Sequence, residues 1–157
     1  MGERVIIIHF ADFVKEFARL YYNWNGEKDI AGRHLLQYLG TNVIRKKFPN
    51  YWADLVAKFL AAVSLKEDFD IALIPDLRFL NEYKIVKKYN KHCYTIRVNK
   101  IDDNGEYILS PILTEKQINH ESECDLDDFS FDIMVNNNGT LEDLKNSAKE
   151  IIEQYLK

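Results

Sequence analysis

The strongest constraint on the fold is an alternation between short β-branched runs and stretches with helical spacing. Val5-Ile6-Ile7-Ile8-His9-Phe10 is one such run, as a strand covered on both faces requires. Ile71 to Ile74, Cys93 to Val98 and Phe131 to Val135 are three more. Between them the apolar period lengthens to that of a helix. Phe13, Phe17, Leu20 and Tyr21 recur on one helical face, with Asp12 placed to cap it. Ile30 to Leu39 and Val43 to Lys47 read as two short helical pieces broken at Gly40. Tyr51 to Val63 is a longer amphipathic helix, and another runs from about Phe79 to Tyr89. A last helix starts behind Thr140 and ends at Leu156, with Thr140 and Asp143 at capping-box spacing. Strands alternating with helices predict an α/β layer fold: a mainly parallel sheet of about four strands, covered by helices. The polar stretch from Asn99 to Asn119 carries the turn signal Asp102-Asp103-Asn104-Gly105 and reads as a lid-like excursion.

Size and charge narrow the field further. At 157 residues the chain is expected to form a single domain over 1–157. A net charge of −4 argues against sequence-independent nucleic-acid binding, which calls for a basic face. No apolar stretch approaches the ~20 residues of a spanning helix, so no membrane partner is expected. Cys93 and Cys124 form no C-x-x-C pair and fit a reducing, cytoplasmic setting.

In layered α/β folds, ligands bind beyond the carboxyl ends of the strands. Asp12 and Lys15 follow the first run, Asp76 and Arg78 follow the second, and Arg97 lies near the end of the third. Lys15, Arg78 and Arg97 suit an anionic ligand, since arginine can fork onto phosphate oxygens. Each also has a plainer reading. Lys15 on a first helical turn can be a solvated lysine. Asp76 after an apolar strand has the form of a Walker B acid, which holds Mg²⁺ or its water, and equally that of a helix N-cap. Arg78 can pair with Glu82 one turn later. Arg97 inside a strand needs a partner for its charge. The cluster from His120 to Asp125, with Asp127 and Asp128, holds metal-ligand side chains, but they are adjacent rather than spaced. Capping at a loop-to-helix junction accounts for that cluster better. No serine stands in a nucleophile elbow.

Taken together, the motifs resemble a known family. Phe10-Ala11-Asp12-Phe13-Val14-Lys15-Glu16 is similar to the F-A-D-P-L-K-E segment of phage-type deoxynucleoside monophosphate kinases. These belong to the P-loop kinase superfamily and are related to animal phosphomevalonate kinases. Gly32 to Arg45 resembles the family's R-x-L-L-Q-x-L-G-T-E-x-x-R stretch, with Asn42 where Glu is usual, and Trp52 follows at the expected place. Ile74-Pro75-Asp76-Leu77-Arg78-Phe79-Leu80-Asn81-Glu82 resembles I-P-D-V-R-F-x-N-E, and Ile96-Arg97-Val98 resembles the strand leading to the lid. His120-Glu121-Ser122-Glu123, Leu126-Asp127, Phe131-Asp132 and Asn137-Asn138-Gly139-Thr140-Leu141 match the remaining motifs in order.

The resemblance implies transfer of the ATP γ-phosphoryl group to a deoxynucleoside monophosphate, with ATP and Mg²⁺ as cofactors. Lys15, Arg45, Arg78 and Arg97 would hold substrate phosphates or the transferring group. Asp76 would sit near Mg²⁺, Gln37 would contact the base, and Asn99 to Asn119 would close over the donor. The same resemblance places a strand, a G-x-x-x-x-G-K-[ST] loop and a helix upstream of the F-A-D segment, and no such loop occurs in these residues. That strand would be central, flanked by the second and third strands of this chain. The 157 residues are therefore expected to be inactive as an ATP phosphotransferase. Three readings stay open: an N-terminally shortened kinase, a catalytically silent protein that binds a nucleotide or other phosphorylated ligand, and an α/β interaction domain that forms a homodimer.

Overall fold

The first apolar run makes a shorter strand than its length suggests. In the computed structural model, β1 (Val5–Ile7) gives way almost at once to α1 (Phe10–Tyr22). The structure describes residues 4–66, 69–90, 92–102, 104–108 and 121–155. They fall into two compact units, Met1–Cys93 and Tyr94–Lys157.

In the first unit, β1 pairs in parallel with β2 (Ile71–Leu73) in the register Val5↔Ile71, Ile6↔Ala72, Ile7↔Leu73. Helix α1 buries Phe10, Val14 and Ala18, spaced four apart on one face. Phe13 and Phe17 pack beside that stripe, while Leu20 and Tyr21 stay exposed, which corrects the apolar face expected for this helix. Helix α3 (Tyr51–Ser64) packs on α1 and on α4 (Leu80–Tyr89), burying Trp52, Ala53, Val56 and Ala57. Leu39 and Val56 are fully buried, each worth roughly 1.5–3 kcal/mol over exposure.

Between α1 and α3 lies α2 (Ile30–Gln37), capped by Asp29, whose carboxylate accepts the Gly32 N–H at 2.6 Å. Trp24 Nε1 donates to the Glu27 carbonyl at 2.8 Å in the preceding turn and lies against the Gly32 backbone. Helix α2 then runs straight into a π-helix over Tyr38–Arg45. The break expected at Gly40 is absent: the chain widens there instead of stopping. The Gly40 carbonyl accepts the Trp52 indole N–H at 3.2 Å, so the widened turn is held by a core side chain. A β-carbon at Gly40 would meet only the Val14 methyls, at 3.5 and 3.8 Å, which is ordinary contact. Gly40→Ala is therefore expected to move the urea midpoint by the equivalent of less than about 1 kcal/mol. A loss above twice that would mean the widened turn needs glycine after all.

In the second unit, β3 (Ile96–Lys100) pairs in parallel with β4 (Ile133–Asn137), from Ile96↔Ile133 to Lys100↔Asn137. Both strands start later than their apolar runs. Thr95 and Asp132 fix that start: Asp132 Oδ2 accepts the Thr95 N–H at 2.8 Å and its hydroxyl at 2.7 Å, and the Asp132 N–H donates back to Thr95 Oγ1 at 3.0 Å. Asn99 and Lys100 thus belong to β3, not to the excursion. Asp102 Oδ1 accepts the N–H groups of Asn104 and Glu106, both at 2.9 Å, around Gly105 at φ +85°. That is the turn the sequence signals; residues 109–119 of the excursion, and His120, lie outside the described residues. After a short helix α5 (Glu121–Cys124), Thr140 and Asp143 form a reciprocal cap on α6 (Leu141–Tyr155): the Thr140 N–H donates to Asp143 Oδ2 at 2.7 Å, and the Asp143 N–H donates to Thr140 Oγ1 at 3.3 Å.

The class is α/β with parallel strands, but the four strands form two separate pairs rather than one sheet. Among the described residues each strand pairs on one side only. Among the described residues, no helix is long and apolar enough to cross a membrane.

Candidate functional site

Because β1 and β2 are parallel, their carboxyl ends open on the same edge of the first unit. The chain leaves β1 through Ile8 and His9 into α1, and leaves β2 through Ile74 to Phe79 into α4. Asp76 bridges these two exits. Its Oδ1 accepts the Phe10 N–H at 2.9 Å and its Oδ2 the Ala11 N–H at 3.2 Å. Two otherwise unpaired amides of α1 are satisfied, and a negative charge lies at the positive end of that helix. The capping role open to Asp76 is thus filled, on a helix 66 residues away in sequence.

Asp12, expected as the N-cap of α1, occupies its third position and reaches back to the His9 N–H at 2.8 Å. Its other oxygen takes the Lys15 ammonium at 2.7 Å. Burial pushes the Asp12 carboxyl up, but the bonds from Lys15 and His9 outweigh it and hold it below the usual carboxylate range. Lys15 is not a freely solvated lysine: its side chain is 23% exposed and held by this pair.

Above this junction lies a cleft of about 200 Å³, with Lys15, Arg45, Asp76, Arg78, Glu82 and Trp52 among its lining residues. Three cations against two carboxylates leave one net positive charge. Arg45 comes from the end of the π-helix. Its Nη1 donates to Glu82 Oε1 at 3.0 Å, its Nη2 donates to Asn81 Oδ1 at 2.9 Å, and its guanidinium carbon lies 3.5 Å from the Phe79 ring centre. Glu82 is buried, and its Oε2 accepts the N–H groups of Arg78 at 3.0 Å and Phe79 at 3.1 Å, capping α4. Burial pushes the Glu82 carboxyl above its ordinary value, against the opposing pull of the Arg78 amide and the Arg45 guanidinium.

Of the residues singled out in the sequence, Lys15, Arg45, Asp76 and Arg78 come together on one cleft, with Asp12 attached through Lys15. Gln37 is exposed at the end of α2 and is not among the lining residues. Arg97 belongs to the second unit. It finds its partners in Asn99 Oδ1 at 3.2 Å, the Leu126 carbonyl at 3.2 Å and Asp127 at 3.4 Å, with the Phe131 ring centre 5.5 Å away. Glu82, Asn81 and Phe79 were missed as parts of the site. The signal for Glu82 was its place three residues after Phe79, the spacing of a side chain that caps its own helix.

The donor set treats the two expected cofactors differently. Mg²⁺ usually takes one or two carboxylates together with substrate phosphates. Each Asp76 oxygen accepts one amide and keeps a second lone pair, so Asp76 fits such an ion. Among the described residues, no group of three His, Cys, Asp or Glu side chains forms a metal cluster. An ATP triphosphate calls for a glycine-rich loop with Lys-Ser/Thr, which these residues lack, so they do not fit it. A family model described as deoxynucleotide monophosphate kinase matches residues 5–148. No curated protein matches the chain.

Proposed function

The chain belongs to the deoxynucleotide monophosphate kinase family, and on that premise we propose that the first unit's cleft is the acceptor site, holding a deoxynucleoside monophosphate by its phosphate. The observation that carries this reading is the meeting of Lys15, Arg45 and Arg78 beside Asp76, where two parallel strands end. A phosphate entering there exchanges water for cations that are partly buried, where charge pairs are stronger than in bulk water. Arg45 and Arg78 supply forked donors, and Lys15 supplies a point charge. Asp76 would hold the Mg²⁺ that the kinase family implies, with the lone pairs its two amide bonds leave over. Because no phosphate-cradling loop occurs in these residues, the 157-residue chain binds the acceptor without transferring phosphate on its own.

Calorimetry with the four common deoxynucleoside monophosphates tests both halves. Heat fitting millimolar or tighter binding is expected for at least one of them, with no ADP released from ATP above background. Silence with all four would sink the acceptor site; steady ADP release would sink the claim of inactivity.

A further inference from the structure

We infer that Glu82 is a positioning residue of this site: it fixes Arg45 and the backbone at Arg78 so that both meet the anion together. The inference rests on the cleft being the acceptor-phosphate site. Its basis is a single buried carboxylate that joins two distant segments. One oxygen takes the guanidinium of Arg45, at the end of the π-helix; the other takes the amides of Arg78 and Phe79, at the turn from β2 into α4. Arg45 lies 37 residues from Glu82 in sequence, and Arg45 and Arg78 each supply a cation to the cleft.

Arg45 is held on three sides. Glu82 takes Nη1, Asn81 takes Nη2, and Phe79 lies against the guanidinium face. Asn81 is itself fixed, since its Nδ2 donates to the Pro49 carbonyl and to Asn50 Oδ1, both at 2.9 Å. Arginine has five N–H donors, so this clamp leaves three for an anion. A long side chain is thus oriented before the ligand arrives, and less ordering is left to do on binding. Glu82 does not supply the contact itself: it is 4% exposed, and its charge has the same sign as a phosphate.

Glu82→Gln separates positioning from capping. The glutamine oxygen can keep the two α4 amides, but its NH₂ then faces the Arg45 donors and the clamp opens. Affinity for inorganic phosphate and for the bound monophosphate, measured well below the melting temperature, is expected to fall about tenfold, the worth of one charge-assisted hydrogen bond. In arginine-detected NMR, the Arg45 Nη1 and Nη2 signals are expected to be distinct in the wild type and averaged in the variant. A residue that only capped the helix would leave both readouts unchanged.

Arg45→Lys is the control. If it weakens phosphate binding and Glu82→Gln does not, the positioning role is overturned and the acceptor site stands. If Arg45→Lys leaves phosphate binding unchanged, the acceptor site itself fails. Should Glu82→Gln not fold, averaged Arg45 signals in the wild type would still overturn the inference.

Discussion

Replacing Gly32 by alanine is expected to destabilise the first unit by about 3 kcal/mol, the combined scale of an overpacked core and a broken buried hydrogen bond. A β-carbon there would overlap the Glu27 carbonyl oxygen and lie 2.7 Å from Trp24 Nε1. Those two atoms are hydrogen-bonded to each other, and Trp24 is a buried member of the core with Val14, Ala18, Leu39 and Trp52. Relief requires the Glu27 carbonyl to move off the new β-carbon, which strips the Trp24 indole N–H of its partner. Since a domain's whole stability is roughly 5–15 kcal/mol, the loss is a large share of it. Urea unfolding followed by tryptophan fluorescence gives the midpoint directly. A Gly32→Ala protein that melts with the wild type would show that the turn has room the structure does not display.

Arg45→Met is expected to cost about 3–5 kcal/mol at neutral pH, because it leaves the Glu82 charge buried and unpaired. The cost has a defined pH dependence. Burial already holds the Glu82 carboxyl above its ordinary value of 4.5, and removing the guanidinium raises it further. An acid whose folded value is raised binds its proton more tightly folded than unfolded. Its stabilisation is therefore present at low pH and lost as pH rises through the folded value. The gap between wild type and Arg45→Met should shrink as pH falls from 7 toward 4.5. Adding Glu82→Gln should recover much of the loss at neutral pH, since the buried charge is gone while the glutamine oxygen still accepts the Arg78 and Phe79 amides. Denaturation midpoints at both pH values check this, and an equal gap at both would dismiss the buried charge as its source.

The sequence was informative wherever the partner of a residue lies close along the chain. Thr140 with Asp143, and the Asp102 turn around Gly105, could be read from spacing alone. So could the parallel direction of the strands and the placing of Asp76 and Arg78 at a strand end. It was silent wherever the partner is remote. Helix α1 begins at Phe10 rather than at Asp12 because Asp76 reaches its first amides from another segment. Thr95 and Asp132 set the starts of β3 and β4 against the pull of the apolar runs upstream. Arg97 needs a partner as a charged strand residue, and local spacing does not reveal that Leu126, Asp127 and Asn99 bond to it. Gly40 suggested a break because glycine disfavours helix in general, and only the Trp52 indole shows why it sits inside a continuous one.

The π-helix over Tyr38–Arg45 makes the site depend on how the chain is wound as well as on which residues it carries. Each of its hydrogen bonds closes a loop one residue longer than in an α-helix. Tightened to α-helical winding at the same length, each residue would advance about 100° around the axis. Arg45 would then be carried around the helix, away from Glu82, Asn81 and the Phe79 ring, with every side chain of the site still present. A change that tightens this winding at constant length should therefore be as damaging as losing the arginine.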